Sequence, residues 1–311
     1  MIKKNNLISW QFFMGFVLSI SCLIYTLKDF KFTEFIYMLR NINLLSIIIA
    51  TILLIISVYL RSLRWKFMVS EDRISIKDLF TGQFIGYFGN NVLPLRLGEL
   101  LKSRFIAKRY NLTTSKIFGT VILERSFDIL GIIFLAIVLL FINYNLLIEY
   151  KYTFYIIPLS LIMIIIILYS LLTKTRNYAG TNKFFLVIIN LINGIKSLNK
   201  NNLFFIIFYT VLIWTIYILH VYLVQDSINL GLDISECVFL LFVSSIVLSI
   251  PSLPANIGTF EAGVKETLLM LNISSYQSSF PFLLHSLTFV PYVLIGGILF
   301  MYYNYQVFHN K

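Results

Sequence analysis

Residues Gly82–Arg109 read GQFIGYFGNNVLPLRLGELLKSRFIAKR. The stretch opens as a membrane helix, with Phe84, Ile85, Tyr87, Phe88 and Val92. It breaks at Gly89-Asn90-Asn91 and again at Pro94. Arg96 and Glu99 follow the break, then a basic run of Lys102, Arg104, Lys108 and Arg109. Non-helical backbone at membrane depth survives only where protein or a water-filled cavity covers it, because a bare N–H or C=O finds no partner in hydrocarbon. An ionisable group at that depth is costly and marks a functional site by default. The stretch therefore predicts one wall of a cavity that faces lipid or substrate.

The rest of the chain supplies the membrane context. Of its 311 residues, 59% are hydrophobic and 13% charged, against about 25% charged in a soluble domain. Apolar runs of about 20 residues recur along the whole length. Between them no soluble stretch exceeds roughly 25 residues, which leaves no room for a separate catalytic domain. The expected fold is all-α: a polytopic integral membrane protein occupying 1–311 as one transmembrane domain. Cys22 and Cys237 make neither a metal nor a disulfide pattern and read as packing residues. No metal or cofactor is expected. The net charge of +11 points to basic cytoplasmic loops and anionic headgroups rather than nucleic acid.

Six spans are predicted, at Ile8–Leu27, Leu44–Leu60, Ser115–Ile142, Tyr152–Leu172, Leu203–Val224 and Phe280–Tyr303. The first is too long for a signal peptide and lacks a small-x-small cleavage site. Asp29–Asn43 reads as an interfacial helix, and Phe184–Ile192 as a surface amphipathic one. Arg61, Arg64, Trp65 and Lys66 read as a basic and aromatic interface anchor, as does the run from Lys102 to Arg109. Ile234–Ile250 begins a second broken segment, interrupted at Pro251 and Pro254. Six crossings with both broken segments returning to their own side gather all 25 Lys/Arg on one face except Lys28, Lys31, Arg40, Arg125, Lys151 and Lys265. That bias predicts both termini in the cytoplasm.

The two breaks share a pattern. Leu93-Pro94-Leu-Arg96-Leu-Gly98-Glu99 matches Leu253-Pro254-Ala-Asn-Ile-Gly258-Thr-Phe-Glu261 in its Leu-Pro, its Gly four residues after Pro, and the Glu that follows. Broken hydrophobic segments at corresponding positions of two halves point to a transport site between inverted repeats, here 1–142 and 150–305. Each break also exposes helix N-terminal N–H groups that favour anions. A pair of simple proline kinks is the plainer reading.

Asn90-Asn91-x-Leu93-Pro94-x-Arg96-x-Gly98-Glu99, then Glu124-Arg125-x-x-Asp128, then Pro251-Ser-x-Pro254-x-x-Ile257-Gly258-x-x-Glu261 resembles the lysylphosphatidylglycerol synthase transmembrane-region family of flippase-like membrane proteins. The resemblance implies lipid translocation and gives functional weight to Arg96, Glu99, Glu124, Arg125, Asp128 and Glu261. Two departures stand out. The chain ends at Lys311 without a cytoplasmic aminoacyl-transferase domain, so synthesis of the lipid is not carried over. The second break reads Leu-Pro-Ala-Asn where members often have a Gly-rich turn.

Taken together, the expected function is translocation or binding of a lipid with an anionic headgroup, in the cell membrane of a prokaryote, by a protein that is not an enzyme. The alternative is a membrane enzyme or accessory scaffold acting on lipid-linked glycan or aminoacyl-lipid precursors. Expected partners are anionic membrane lipids and a lipid-modifying enzyme or glycosyltransferase. The substrate-binding set is Asn90, Asn91, Arg96, Glu99, Glu124, Arg125, Asp128 and Glu261. The breaks are Pro94, Gly98, Pro251, Pro254 and Gly258. Arg96 suits a lipid phosphate because its planar fork matches the oxygens, though pairing with Glu99 at i+3 rivals that role. Glu124, Arg125 and Asp128 fall on one side of a helix and sum to −1, a balance that Arg96 is expected to complete. Glu261 is expected to pair with Lys265 at i+4. His220 and His285 read as lone packed histidines.

Overall fold

The computed structural model describes residues 6–69, 71–143, 199–249 and 252–309. The predicted span Tyr152–Leu172, the stretch Phe184–Ile192 and Pro251 lie outside them. Within the described residues there are ten α-helices. They are α1 (Asn6–Leu27), α2 (Phe32–Arg40), α3 (Leu44–Met68), α4 (Ile76–Val92), α5 (Gly98–Arg109), α6 (Thr114–Ile142), α7 (Leu203–Asp226), α8 (Ile234–Val247), α9 (Thr259–Met270) and α10 (Phe280–His309). The helices α3, α6, α7 and the Phe280–Tyr303 part of α10 are long and apolar enough to cross a membrane. The first helix, α1, has 22 residues and no charged side chain. The protein is an all-α polytopic membrane protein.

The two broken segments are built alike. A Pro94–Arg96 3-10 turn joins α4 to α5, and a Pro254–Asn256 turn precedes α9. Proline at the first position of each turn forgoes an N–H that would have no partner there. At 1.5 Å per residue the 12 residues of α5, 14 of α8 and 12 of α9 reach only about 18–21 Å, short of the roughly 30 Å hydrocarbon core. Each pair, α4 with α5 and α8 with α9, folds back on itself as a hairpin. Gly82 of α4 lies against the Ile106 side chain of α5, and Arg109 meets Asp78 at 2.8 Å. Likewise Val247 of α8 packs on Gly263 of α9. A reciprocal capping box, with Asp233 and Glu236 each accepting the other's backbone N–H, starts α8 cleanly.

The chain divides into two compact units: Met1–Ile55 with Tyr87–Gly98 and Ile216–Lys311, and Ile56–Gly86 with Glu99–Thr215. The first has an apolar core that includes Met38, Val224, Leu240, Val264 and Phe280, and Cys237 is buried in it as a packing residue. In the second, Trp65 is fully buried and donates its indole N–H to Thr120 Oγ1 at 2.9 Å. Close approach of α6 and α7 there depends on Gly131. A Cβ at that position would lie 1.7 Å from Nε1 of Trp214. Gly131→Ala is therefore expected to destabilise the protein by about 1–3 kcal/mol through overpacking, read as a lowered melting temperature in detergent.

Candidate functional site

The second unit holds a buried charge network that the sequence foreshadows only in part. Arg61 and Arg64 stand on one face of α3. Arg61 Nη1 donates to Glu124 Oε1 at 3.1 Å and to Asp128 Oδ2 at 3.2 Å. Arg64 donates to Asp128 Oδ1 at 2.6 Å and to Thr210 Oγ1 at 3.1 Å. From α5, Lys102 Nζ donates to Glu124 Oε2 at 2.8 Å and to Gln83 Oε1 at 3.2 Å, and lies 4.7 Å from the centre of the Trp65 ring. Gln83 in turn donates its amide to Glu124 Oε1 at 3.2 Å. Arg125 reaches Asp128 at 3.0 Å and pairs with Glu99, which also lies 3.5 Å from Lys102. Glu124 and Arg64 side chains are wholly buried and Lys102 is 1% exposed.

Such an arrangement follows from the cost of burying charge. An isolated ion in a low-dielectric interior is penalised by several kcal/mol and is tolerated only when paired and hydrogen-bonded. Here Glu99, Glu124 and Asp128 each meet at least two permanent cations, and Arg and Lys contribute four positive charges to three negative ones. The i, i+3 contact between Arg125 and Asp128 is as expected. Two other expectations, the interface anchors and Arg96 as the balancing charge, are corrected. Arg61, Arg64 and Lys102 are not interface anchors, because their heads turn inward to carboxylates that would otherwise be unpaired. The counter-charge for Glu124 and Asp128 comes from these residues. Gln83 and Thr210, with no motif to mark them, complete the network.

The expected tip residues gather in the first unit. The Pro94–Arg96 and Pro254–Asn256 turns pack on one another. Arg96 Nη2 donates to Asn256 Oδ1 at 3.2 Å, and the Ser252 hydroxyl donates to the same oxygen at 2.8 Å. Arg96 is exposed, while Asn90 and Asn91 sit half-buried in the last turn of α4. Arg96, Ala255 and Asn256 all hold positive φ, at 53°, 59° and 58°. For residues other than glycine such angles cost roughly 1–3 kcal/mol each and collect at functional sites. The left-handed pair Ala255-Asn256 explains why a Gly-rich turn suits this position. Gly258 is required outright: its φ is +86°, and a Cβ would fall 2.1 Å from the Ser19 carbonyl of α1.

Glu261 closes this tip. Its Oε2 accepts the Gly258 N–H at 2.7 Å, and its Oε1 lies 2.6 Å from His285 Nδ1 on α10. Glycine has no side chain to return the bond, so only half a capping box forms. The expected Glu261–Lys265 pair is replaced. Lys265 turns to Asp29 at 2.9 Å and to the Tyr25 carbonyl at 3.2 Å. The hydrogen bond from Lys265 holds the Asp29 carboxyl below its ordinary pKa. His285 is thus a partner of Glu261 and not a lone histidine, a pairing that a separation of 24 residues hides. His220 does read as packed, buried with Nδ1 3.1 Å from the Ala50 carbonyl.

These features define a membrane protein whose two broken helical hairpins meet at strained, polar tips. The chain belongs to the family described as the lysylphosphatidylglycerol synthase TM region, which it matches over residues 12–296. It is 28% identical over 218 residues to the UPF0104 membrane protein MJ1078 of Methanocaldococcus jannaschii, covering 68% of this chain and 93% of that one. UPF0104 membrane protein PH1989 of Pyrococcus horikoshii is 32% identical over 127 residues, 39% of this chain and 37% of the relative. UPF0104 membrane protein MJ1595 of M. jannaschii is 32% identical over 158 residues, 50% of this chain and 45% of the relative. No solved structure matches.

Removing one carboxylate from the network leaves buried cations uncompensated. Glu124→Gln is expected to lose about 3–5 kcal/mol, seen as a fall in monodisperse yield and melting temperature. Adding Lys102→Met should recover a large part of that loss, because the pair is then deleted together.

Proposed function

We propose that the protein moves lipids with an anionic, phosphate-bearing headgroup across the cell membrane of a prokaryote. The headgroup is taken at the meeting point of the two hairpin tips while the acyl chains stay in the bilayer. The single observation that carries this reading is the exposed Arg96 guanidinium, held in a strained turn against Asn256 of the opposite tip. A guanidinium's planar fork matches the oxygens of a phosphate. Asn256, with Ser252 bonded to it, lies against Arg96, and Asn90 and Asn91 precede it in the chain; these neutral groups suit headgroup hydroxyls. Membership of the family supports a role in lipid handling.

Translocation is favoured over chemistry on the lipid by the state of the other carboxylates. Glu99, Glu124 and Asp128, the candidates for acid–base or metal-binding roles, are each tied to permanent cations. We assign them, with Arg125, to holding the helices. Anionic membrane lipids are then the partners, together with a lipid-modifying enzyme or glycosyltransferase that supplies the lipid. Both termini are placed in the cytoplasm by the positive-inside bias.

The strained turn lets function be separated from folding. Arg96→Gly removes the guanidinium yet relieves left-handed strain of roughly 1–3 kcal/mol, which offsets the entropy that glycine adds to the unfolded chain, so the fold should keep its stability. The same variant should slow translocation of a fluorescent phosphatidylglycerol in proteoliposomes by an order of magnitude, on the scale of one lost charge-assisted contact worth about 1.5–3 kcal/mol. Translocation equal to wild type would reject the reading. Ala255→Gly, which touches the same tip without removing a polar group, should gain stability and keep its activity.

A further inference from the structure

We propose that Glu261 and His285 form a proton-binding site that makes a proton and an anionic headgroup bind together at the hairpin tips. The inference rests on the translocation reading and adds to it the ion that accompanies the lipid.

The argument starts from a contrast between the two units. The buried carboxylates of the second unit face Arg and Lys side chains. Glu261 is 3% exposed and His285 9% exposed, and among the described residues the ion-pair partner of Glu261 is His285. Imidazole is the side chain whose charge changes between about pH 5 and pH 8. With the ring neutral, Nδ1–H donates to the carboxylate and the buried pair carries one negative charge. With a proton taken up at Nε2, the pair is neutral. In a low-dielectric site that difference is felt over several ångströms.

The pair is wired to the tip through one short path. Glu261 Oε2 holds the Gly258 N–H, Gly258 lies two residues beyond Asn256, and Asn256 accepts from Arg96. Protonating His285 cancels the net negative charge of the pair behind the surface that receives the phosphate. Anion binding is thereby favoured, and by linkage a bound anion favours proton uptake equally. The other titratable and charged groups on elements packed against α9 are engaged or remote. From α1 come Cys22 and Tyr25, with Asp29 just beyond its end. Tyr25 meets Glu266, and Asp29 meets Lys265. Asp233 and Glu236 cap the far end of α8, next to Cys237. On α10, Tyr292 lies two turns beyond His285 and stacks on Tyr87.

Two measurements on the full-length protein test this. In proteoliposomes containing fluorescent phosphatidylglycerol, wild-type translocation should be faster at about pH 6 than at about pH 8, by a factor on the order of ten. His285→Asn keeps a side-chain N–H near the Nδ1 position but cannot titrate, so its translocation should stay at the slow pH 8 rate at both pH values. A His285→Asn variant that retains the wild-type profile would overturn the inference. The second measurement needs no lipid transport. The pH-difference infrared spectrum of the detergent-purified protein should contain carboxylate and imidazole bands that both Glu261→Gln and His285→Asn remove. If those bands are missing from the wild type, the proton site fails even where lipid moves. If they are present while wild-type protein moves no phosphatidylglycerol at any pH, the proton site stands and the translocation reading falls.

Discussion

A buried carboxylate in a membrane interior is costly unless it is paired and hydrogen-bonded, and this constraint shapes half of the molecule. Glu124 cannot be hydrated where it sits, so α3 must present Arg61, and α5 must present Lys102, at bonding distance. Meeting that requirement sets where α3, α5 and α6 lie relative to one another in the second unit. Truncating one member is costly because the remaining charges lose their partner, whereas the intact set repays its own desolvation. Gln83 and Thr210 satisfy lone pairs and protons that ions alone leave open. Networks of this kind specify one arrangement more sharply than an apolar core does, since every bond has a direction.

The first unit meets the opposite need. Its tips must stay polar, partly exposed and non-helical inside an apolar chain, and they do so by trading backbone strain for placement. Left-handed Arg96, Ala255 and Asn256 are held because each tip is closed by others: Ser19 accepts the Leu253 N–H, and Glu261 accepts that of Gly258. Three of the seven left-handed non-glycine residues among the described residues lie at these tips, where a guanidinium is exposed, and none lies in the buried charge network. That distribution fits a site shaped for a ligand.

Much of this was legible from composition and spacing. Apolar runs of membrane length, the two prolines and the Gly-Glu pattern after each foretold four of the six expected spans and the paired breaks, because hydrophobic length and proline geometry act locally. Arg125 and Asp128 were legible for the same reason, being one helical turn apart. The roles of Arg61, Arg64 and Lys102 were not. A basic residue near the end of an apolar run reads as an interface anchor unless its partner is known, and their partners lie more than twenty residues away. Lys265 misled in the same manner: a carboxylate sat at i−4, yet Asp29 took the ammonium.

By itself, then, the sequence determined an all-helical membrane protein, the location of both breaks and the polar and charged residues, from Asn90 to Glu261, that stand at and near them. These follow from the free energy of placing each residue type in hydrocarbon and from backbone geometry, which need no neighbour. Only the tertiary structure decided that the two breaks touch, that Arg96 is opposed by Asn256, and that Glu261 answers to His285 instead of Lys265. Pairing energy depends on the distance between side chains from separate helices, and that distance does not exist until the helices have packed.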